Sequence, residues 1–143
     1  MGQTPINFFT EDLNFTLKQK GLIRTWIKDT IVAENHRLRV LNLIFCSDDY
    51  LLTINQQYLD HDTYTDIITF DNSENKLEIK GDIFISIDQI RENAKKLNIA
   101  EKDELHRVII HGTLHLLSYS DKGKSSKEIM TQKEDFYLSK RTF

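Results

Sequence analysis

The sequence has one cysteine and no long apolar run, and each of these shortages excludes a class of protein. A single cysteine, Cys46, excludes an internal disulfide and any zinc site built from several cysteines. We expect it to be a small apolar residue on a strand. No apolar stretch approaches the roughly 20 residues that span a membrane. The N-terminus lacks the pattern of a signal peptide, so we expect a cytoplasmic protein.

An excess of positive charge is also missing. The chain has 19 basic and 22 acidic residues, which give a formal net charge of −3. This balance argues against a protein that coats nucleic acid by bulk charge. Binding to RNA would therefore need a local basic surface. Its candidate residues lie in the second half of the chain: Lys95, Lys96, Arg107, Lys122, Lys124 and Lys127.

The 143 residues suit one domain, 1–143, with a substantial core and no repeat or linker. Apolar periodicity and turn residues predict strands at 6–9, 37–46, 66–70 and 77–86, and helices at 17–34, 48–58, 87–97, 101–117 and 126–139. Ser47 is a predicted N-cap, and Ser125 with Glu128 fits a capping box. Gly81 predicts a bulge or a close backbone approach. The order of elements predicts an α+β fold, a mixed sheet of about four strands with helices packed on it.

Two histidines four positions apart, His111 and His115, lie on the most apolar predicted helix. Residues at this spacing share one helix face, so both imidazoles can reach one metal ion. A third ligand has to come from beyond the helix end, and Asp121 follows in a polar, turn-like segment. We predict that these three residues hold one divalent metal ion at the end of a central helix, and zinc is the metal that we expect. The alternative is a packed or surface histidine pair beside a solvated aspartate.

Other chemistries with similar patterns fit less well. Zinc proteases of the H-E-x-x-H type have a glutamate base where this chain has Gly112. The ferrous oxygenase triad also uses two histidines and a carboxylate, but that carboxylate closely follows the first histidine on a β-barrel. The acidic segment 60–71 lacks the glycine and final glutamate of a calcium loop, having Thr65 and Asp71 instead. We predict no ligand role for the other histidines: His36, His61 and His106.

The segment 111–121 also resembles a known family. The signature H-G-x-L-H-L-x-G-Y-D-H of the YbeY family, which are metal-dependent endoribonucleases of rRNA maturation, is matched at His111, Gly112, Leu114, His115, Leu116 and Tyr119. Ser118 replaces a glycine, Ser120 an aspartate, and Asp121 the third histidine. Aspartate can ligate zinc, so the resemblance still implies a metal site.

Two further segments resemble the same family. The stretch 55–70 matches at Asn55, Tyr58, Thr65, Asp66 and Phe70. It has Leu59 where the family usually has an arginine that faces the RNA phosphate. The segment 81–83 implies that Asp82 points at the active cleft, and an aspartate that caps local backbone amides is the alternative. We predict Asp82 and Arg107 as substrate-binding residues.

The resemblance implies a single-strand endoribonuclease that acts on precursor rRNA and in the clearance of defective ribosomes. His111 and His115 would be its catalytic residues through the metal that they hold with Asp121. Single-stranded RNA and the small ribosomal subunit or its proteins would be the partners. The alternative is a non-catalytic ribosome-assembly factor with a structural metal, and Leu59 is the feature that leaves that alternative open.

Overall fold

The computed structural model describes residues 5–60 and 63–143. The elements in this part of the chain follow the order β1 (Ile6–Glu11), α1 (Lys20–Ala33), β2 (Arg37–Cys46), α2 (Asp48–Leu59), β3 (Ile67–Asp71), β4 (Glu78–Ser86), α3 (Ile87–Leu97), α4 (Glu101–Leu116) and α5 (Lys124–Leu138). His61 and Asp62, from the predicted loop and from the rejected calcium pattern, lie outside the described residues.

The four strands form one mixed sheet in the order β1-β2-β4-β3. β1 runs parallel to β2, and β2 runs parallel to β4. β3 is an edge strand and pairs antiparallel with β4, from Ile67 opposite Ile85 to Asp71 opposite Gly81. This arrangement confirms the predicted α+β class and the mixed sheet of about four strands.

α4 packs against one face of the sheet and forms the centre of the main core. Gly112 of α4 faces Ile67 of β3 and Ile83 of β4, where an added Cβ would lie 2.8 Å and 3.1 Å from their side chains. Ile83 and Ile109 are fully buried. Burial of each such side chain contributes about 1.5–3 kcal/mol. This packing fixes the distance of α4 from the sheet and so fixes the position of the histidines that α4 carries.

α2 packs on the opposite face of the sheet. Successive residues of a strand point to opposite sides, so Ile68 faces α2 while its neighbour Ile67 faces α4. Ile68 and Leu51 form a smaller buried cluster there with Cys46. Burial raises the pKa of the Cys46 thiol to about 12, with a further contribution from nearby carboxylates, Asp48 first. The thiol therefore stays protonated and behaves as the small apolar strand residue that the sequence predicts.

Gly81 marks a close approach between β4 and β3. A Cβ at this position would lie 2.5 Å from the carbonyl oxygen of Phe70, which real Cβ atoms do not tolerate. The predicted close backbone approach is confirmed here. The register irregularity of the sheet lies elsewhere, in β2 between Leu38 and Val40.

Helix starts depend on backbone conformations that the periodicity does not reveal. Ser47 is an N-cap as predicted, and its hydroxyl accepts a hydrogen bond from the amide of Tyr50 at 3.1 Å. The predicted start of the first helix at residue 17 is wrong. Gln19 adopts a left-handed conformation with φ 61°, and α1 begins after it. The capping box at Ser125 was also wrong. Gly123, with φ 87°, is the N-cap of α5, which places Ser125 inside the helix.

Candidate metal centre

His111 and His115 lie in the last two turns of α4 and point to the same side of it. Their rings are 4.5 Å apart between centroids and nearly perpendicular to each other. The side chains are 22% and 26% exposed. Both imidazoles are therefore held by the surrounding protein and remain open to solvent on one side.

A Schellman motif ends α4 and reverses the chain toward the histidines. The amide of Tyr119 donates to the carbonyl of Leu114, and the amide of Ser118 donates to the carbonyl of His115, both at 3.0 Å. This motif needs a residue in the left-handed region after the cap, and Ser118 adopts it with φ 78°. The family signature has glycine at this position, which is the residue that adopts positive φ without strain.

The reversal brings Asp121 to the two imidazoles. Its Oδ2 lies 3.4 Å from Nε2 of His111 and 3.4 Å from Nε2 of His115. The two Nε2 atoms are 2.9 Å apart. Ligand atoms of a tetrahedral zinc site with bonds of about 2.0–2.1 Å are about 3.3 Å apart. The triangle of one oxygen and two nitrogens therefore matches the face of a zinc tetrahedron to within a few tenths of an ångström.

The other ring nitrogen of each histidine makes a hydrogen bond that fixes its protonation. Nδ1 of His111 lies 2.6 Å from Oε2 of Glu134, and Nδ1 of His115 lies 3.0 Å from the carbonyl oxygen of Tyr119. An ionised carboxylate and a carbonyl only accept hydrogen bonds, so each Nδ1 donates. In the neutral imidazoles the Nε2 atoms then carry lone pairs, which face each other and the carboxylate of Asp121. Such a group of acceptors fits a bound cation.

The charges around the histidines also favour a cation. Burial alone would lower the pKa of His111, but the hydrogen bond to Glu134 and the negative charges of Glu134, Asp121 and Asp66 outweigh burial and raise it. Burial raises the pKa of Asp66, and the charge of His111 lowers it in part. Since these carboxylates hold a proton on His111 more tightly, they favour any cation at the same place.

Tyr119, which orients His115, is itself anchored to two other helices. Its hydroxyl donates to the carboxylate of Glu34 at 2.6 Å, directly after α1. The same carboxylate accepts from Lys133 at 3.1 Å and from the hydroxyl of Tyr137, both on α5. Burial opposes ionisation of Glu34, but these three hydrogen bonds outweigh it and lower the pKa of this group. The loop after α4 is therefore fixed by charged contacts near the candidate ligands.

The structure does not bring the two predicted substrate-binding residues into the same cluster. Asp82 points away from α4, because its neighbour Gly81 faces Leu116 of α4. The carboxylate of Asp82 accepts from the side-chain amides of Asn42 at 3.0 Å and Asn72 at 3.3 Å. Both partners are side chains, so these hydrogen bonds are not the backbone capping of the alternative, and substrate binding by Asp82 stays a prediction.

Arg107 uses its guanidinium within the protein. Nη1 lies 2.7 Å from Glu134, and Nη2 lies 2.7 Å from Asp135. These ion pairs join α4 to α5. Leu59, in the place of the family's arginine, is the last residue of α2 and is 40% exposed.

Sequence reasoning missed two of the groups that orient the histidines. Glu134 is 23 positions from His111 on another helix, so no local spacing connects the two residues. The carbonyl of Tyr119 is a backbone atom and has no signal in the sequence except the helix end itself.

The remaining histidines of the described chain lie outside the cluster. His106 is buried beside Trp26, and Nδ1 of His36 bonds to the carbonyl of Glu34.

The fold and this cluster define an α+β protein with a group of two histidines and an aspartate whose candidate ligand atoms all lie within 4.8 Å of one another. Within residues 5–60 and 63–143, no helix is both long and apolar enough to cross a membrane. Comparison with known proteins identifies the family.

The chain matches the family described as Endoribonuclease YbeY over residues 6–142. It is 53% identical over 143 residues to the Endoribonuclease YbeY of Cytophaga hutchinsonii, with all of both chains covered. It is 48% identical over 133 residues to that of Karelsulcia muelleri, which covers 93% of each chain. The solution structure of TM1509 from Thermotoga maritima is similar, with a TM-score of 0.65 and 27% identity over 94% of this chain and 87% of that one. The chain therefore belongs to the Endoribonuclease YbeY family, as the sequence motif predicted.

Proposed function

We propose that this chain is a metal-dependent endoribonuclease that cuts single-stranded RNA in rRNA maturation and ribosome quality control in the cytoplasm. The observation that carries the proposal is the triangle formed by His111, His115 and Asp121, whose spacing of 2.9–3.4 Å suits a zinc ion. The names of the relatives support the endoribonuclease activity. Precursor rRNA is the proposed substrate, and the small ribosomal subunit or its proteins are the proposed partners.

In this proposal His111 and His115 act through the cation that they bind with Asp121. A zinc ion in the site would supply Lewis-acid chemistry, polarising a phosphoryl oxygen and lowering the pKa of a water molecule. Three protein ligands leave a position of the tetrahedron for substrate or water. The partial exposure of both histidines keeps that position accessible to a strand of RNA.

Positive charge for the RNA backbone lies in the segment that follows Asp121. Lys122, Lys124 and Lys127 are exposed there, and we propose that they contact phosphates. Arg107 is not included, because its guanidinium is paired with two carboxylates. Asp82 is not included either, because it points to the other side of the sheet.

The test combines metal analysis with RNA cleavage. Protein purified without chelator should contain about one divalent metal ion per chain and should cut single-stranded RNA in preference to duplex RNA. His115→Ala should abolish cleavage and lower the metal content. His36→Ala is the matched control, since His36 lies outside the cluster. Absence of metal, even after zinc is added, would contradict the proposal.

One observation favours a second function, a non-catalytic assembly factor with a structural metal. At the exposed position 59 this chain has an uncharged leucine, where the family usually has an arginine. A protein that binds one zinc ion per chain but cuts no RNA, with ribosomal subunits retained as partners, would support this alternative.

A further inference from the structure

The carboxylate of Glu134 makes the shortest contact to either candidate histidine ligand. Its Oε2 lies 2.6 Å from Nδ1 of His111, and its side chain is 9% exposed. A carboxylate at this place accepts a hydrogen bond from Nδ1–H of His111, and the lone pair of Nε2 is then directed at His115 and Asp121. Metal-ligating histidines commonly make this second hydrogen bond to a carboxylate, which fixes the ring and increases its basicity.

Glu134 is itself held from a second direction. Its Oε1 accepts from Nη1 of Arg107 at 2.7 Å. Arg107 lies four positions before His111 on α4, so the two residues are neighbours on one face of the helix. The two oxygens of Glu134 thus have different partners on the same helix. Rotation of the carboxylate would break one contact or the other, and this arrangement makes the orientation of His111 depend on α5.

We propose that Glu134 is a positioning residue of the metal site, which sets Nε2 of His111 as the ligand atom, and that Arg107 holds Glu134 in place. This inference rests on the proposed metal site. It assigns Arg107 a task different from phosphate binding. His115 is oriented separately by the carbonyl of Tyr119, so a change at Glu134 acts on one of the two histidines.

The experiment uses the full chain and zinc alone. Zinc affinity is measured by competition with a chromophoric chelator for wild type, Glu134→Gln and Glu134→Leu. Glu134→Leu should bind zinc about 10- to 100-fold more weakly, the usual cost of losing such a partner. Glu134→Gln should lie between, because its amide oxygen still accepts from Nδ1. Asp135→Asn is the matched control. It removes the negative charge that pairs with Arg107 on the residue next to Glu134, and residue 135 makes no contact with His111 in either form. The zinc affinity of this variant should stay within about twofold of wild type.

Two further readouts separate positioning from stability. The visible spectrum of the cobalt-substituted protein reports ligand geometry and should change in Glu134→Leu but not in Asp135→Asn. Thermal unfolding of the metal-free variants shows whether they fold. Equal zinc affinity and equal cobalt spectra for wild type and Glu134→Leu would overturn the inference alone. So would a loss in Asp135→Asn as large as that in Glu134→Leu. A wild-type protein that binds no zinc would overturn the proposed metal site together with this inference.

Discussion

The buried imidazole of His106 should make the stability of this protein depend on pH. His106 is 3% exposed and packs against the rings of Trp26 and Phe143, with centroids 5.8 Å and 5.3 Å away. Its Nδ1 lies 2.7 Å from Nη1 of Arg141. Arginine can only donate, so Nδ1 is the acceptor and the ring is neutral.

The magnitude follows from the difference between the folded and unfolded states. Burial, with smaller contributions from the charges of Arg141 and Lys102, lowers the pKa of His106 from 6.5 to about 4, while Asp103 acts in the opposite direction. This difference corresponds to about 3 kcal/mol. Because the folded pKa is the lower one, the unfolded chain binds the proton first as the pH falls. The stability that depends on a neutral His106 is fully present above pH 6.5, declines as the pH falls below this value, and is lost near pH 4.

The assay is urea unfolding between pH 4 and pH 8, with chelator present, for wild type and His106→Phe. Phenylalanine keeps the ring packing but cannot titrate. Other groups titrate equally in both proteins, so the difference in unfolding free energy should change by about 3 kcal/mol across this range. Parallel pH curves for the two proteins would refute the reasoning. So would an NMR titration that gives His106 a pKa within about one unit of 6.5.

Four other substitutions test single features of the fold and site. Ser118→Gly should raise the unfolding free energy by about 0.5–1 kcal/mol in chemical denaturation, because Ser118 has φ 78°. Gly81→Ala should lower it by about 1–3 kcal/mol, because its Cβ would meet the Phe70 carbonyl oxygen at 2.5 Å. Asp121→Ala should weaken zinc binding by more than about 100-fold, since it removes a proposed ligand rather than an outer partner, and wild-type affinity in a chelator competition would exclude Asp121 as a ligand. Leu59→Arg should strengthen RNA binding and steepen its logarithmic salt dependence by about 0.7, and unchanged binding would show that residue 59 does not face RNA.

Features with local causes could be predicted from the sequence. β2 has the predicted bounds Arg37–Cys46, and α3 has Ile87–Leu97, because an apolar pattern ends there at a turn or cap residue. Ser47 caps α2 because a hydroxyl before a helix can reach an amide three residues later. The face shared by His111 and His115 follows from helix geometry alone.

The tertiary structure decided what depends on distant parts of the chain. The resemblance implied a cleft position for Asp82, with capping of backbone amides as the alternative. Because α4 packs on the face of Gly81, Asp82 points to the other side of the sheet, where it accepts hydrogen bonds from Asn42 and Asn72. Strand alternation separates the two faces of the sheet but does not say which face a later helix will cover. Glu134 reaches His111 only because α5 packs beside α4. Helical period and capping are properties of a few neighbouring residues. The triangle of His111, His115 and Asp121 and its supporting contacts instead require α4, the loop after it and α5 to come together.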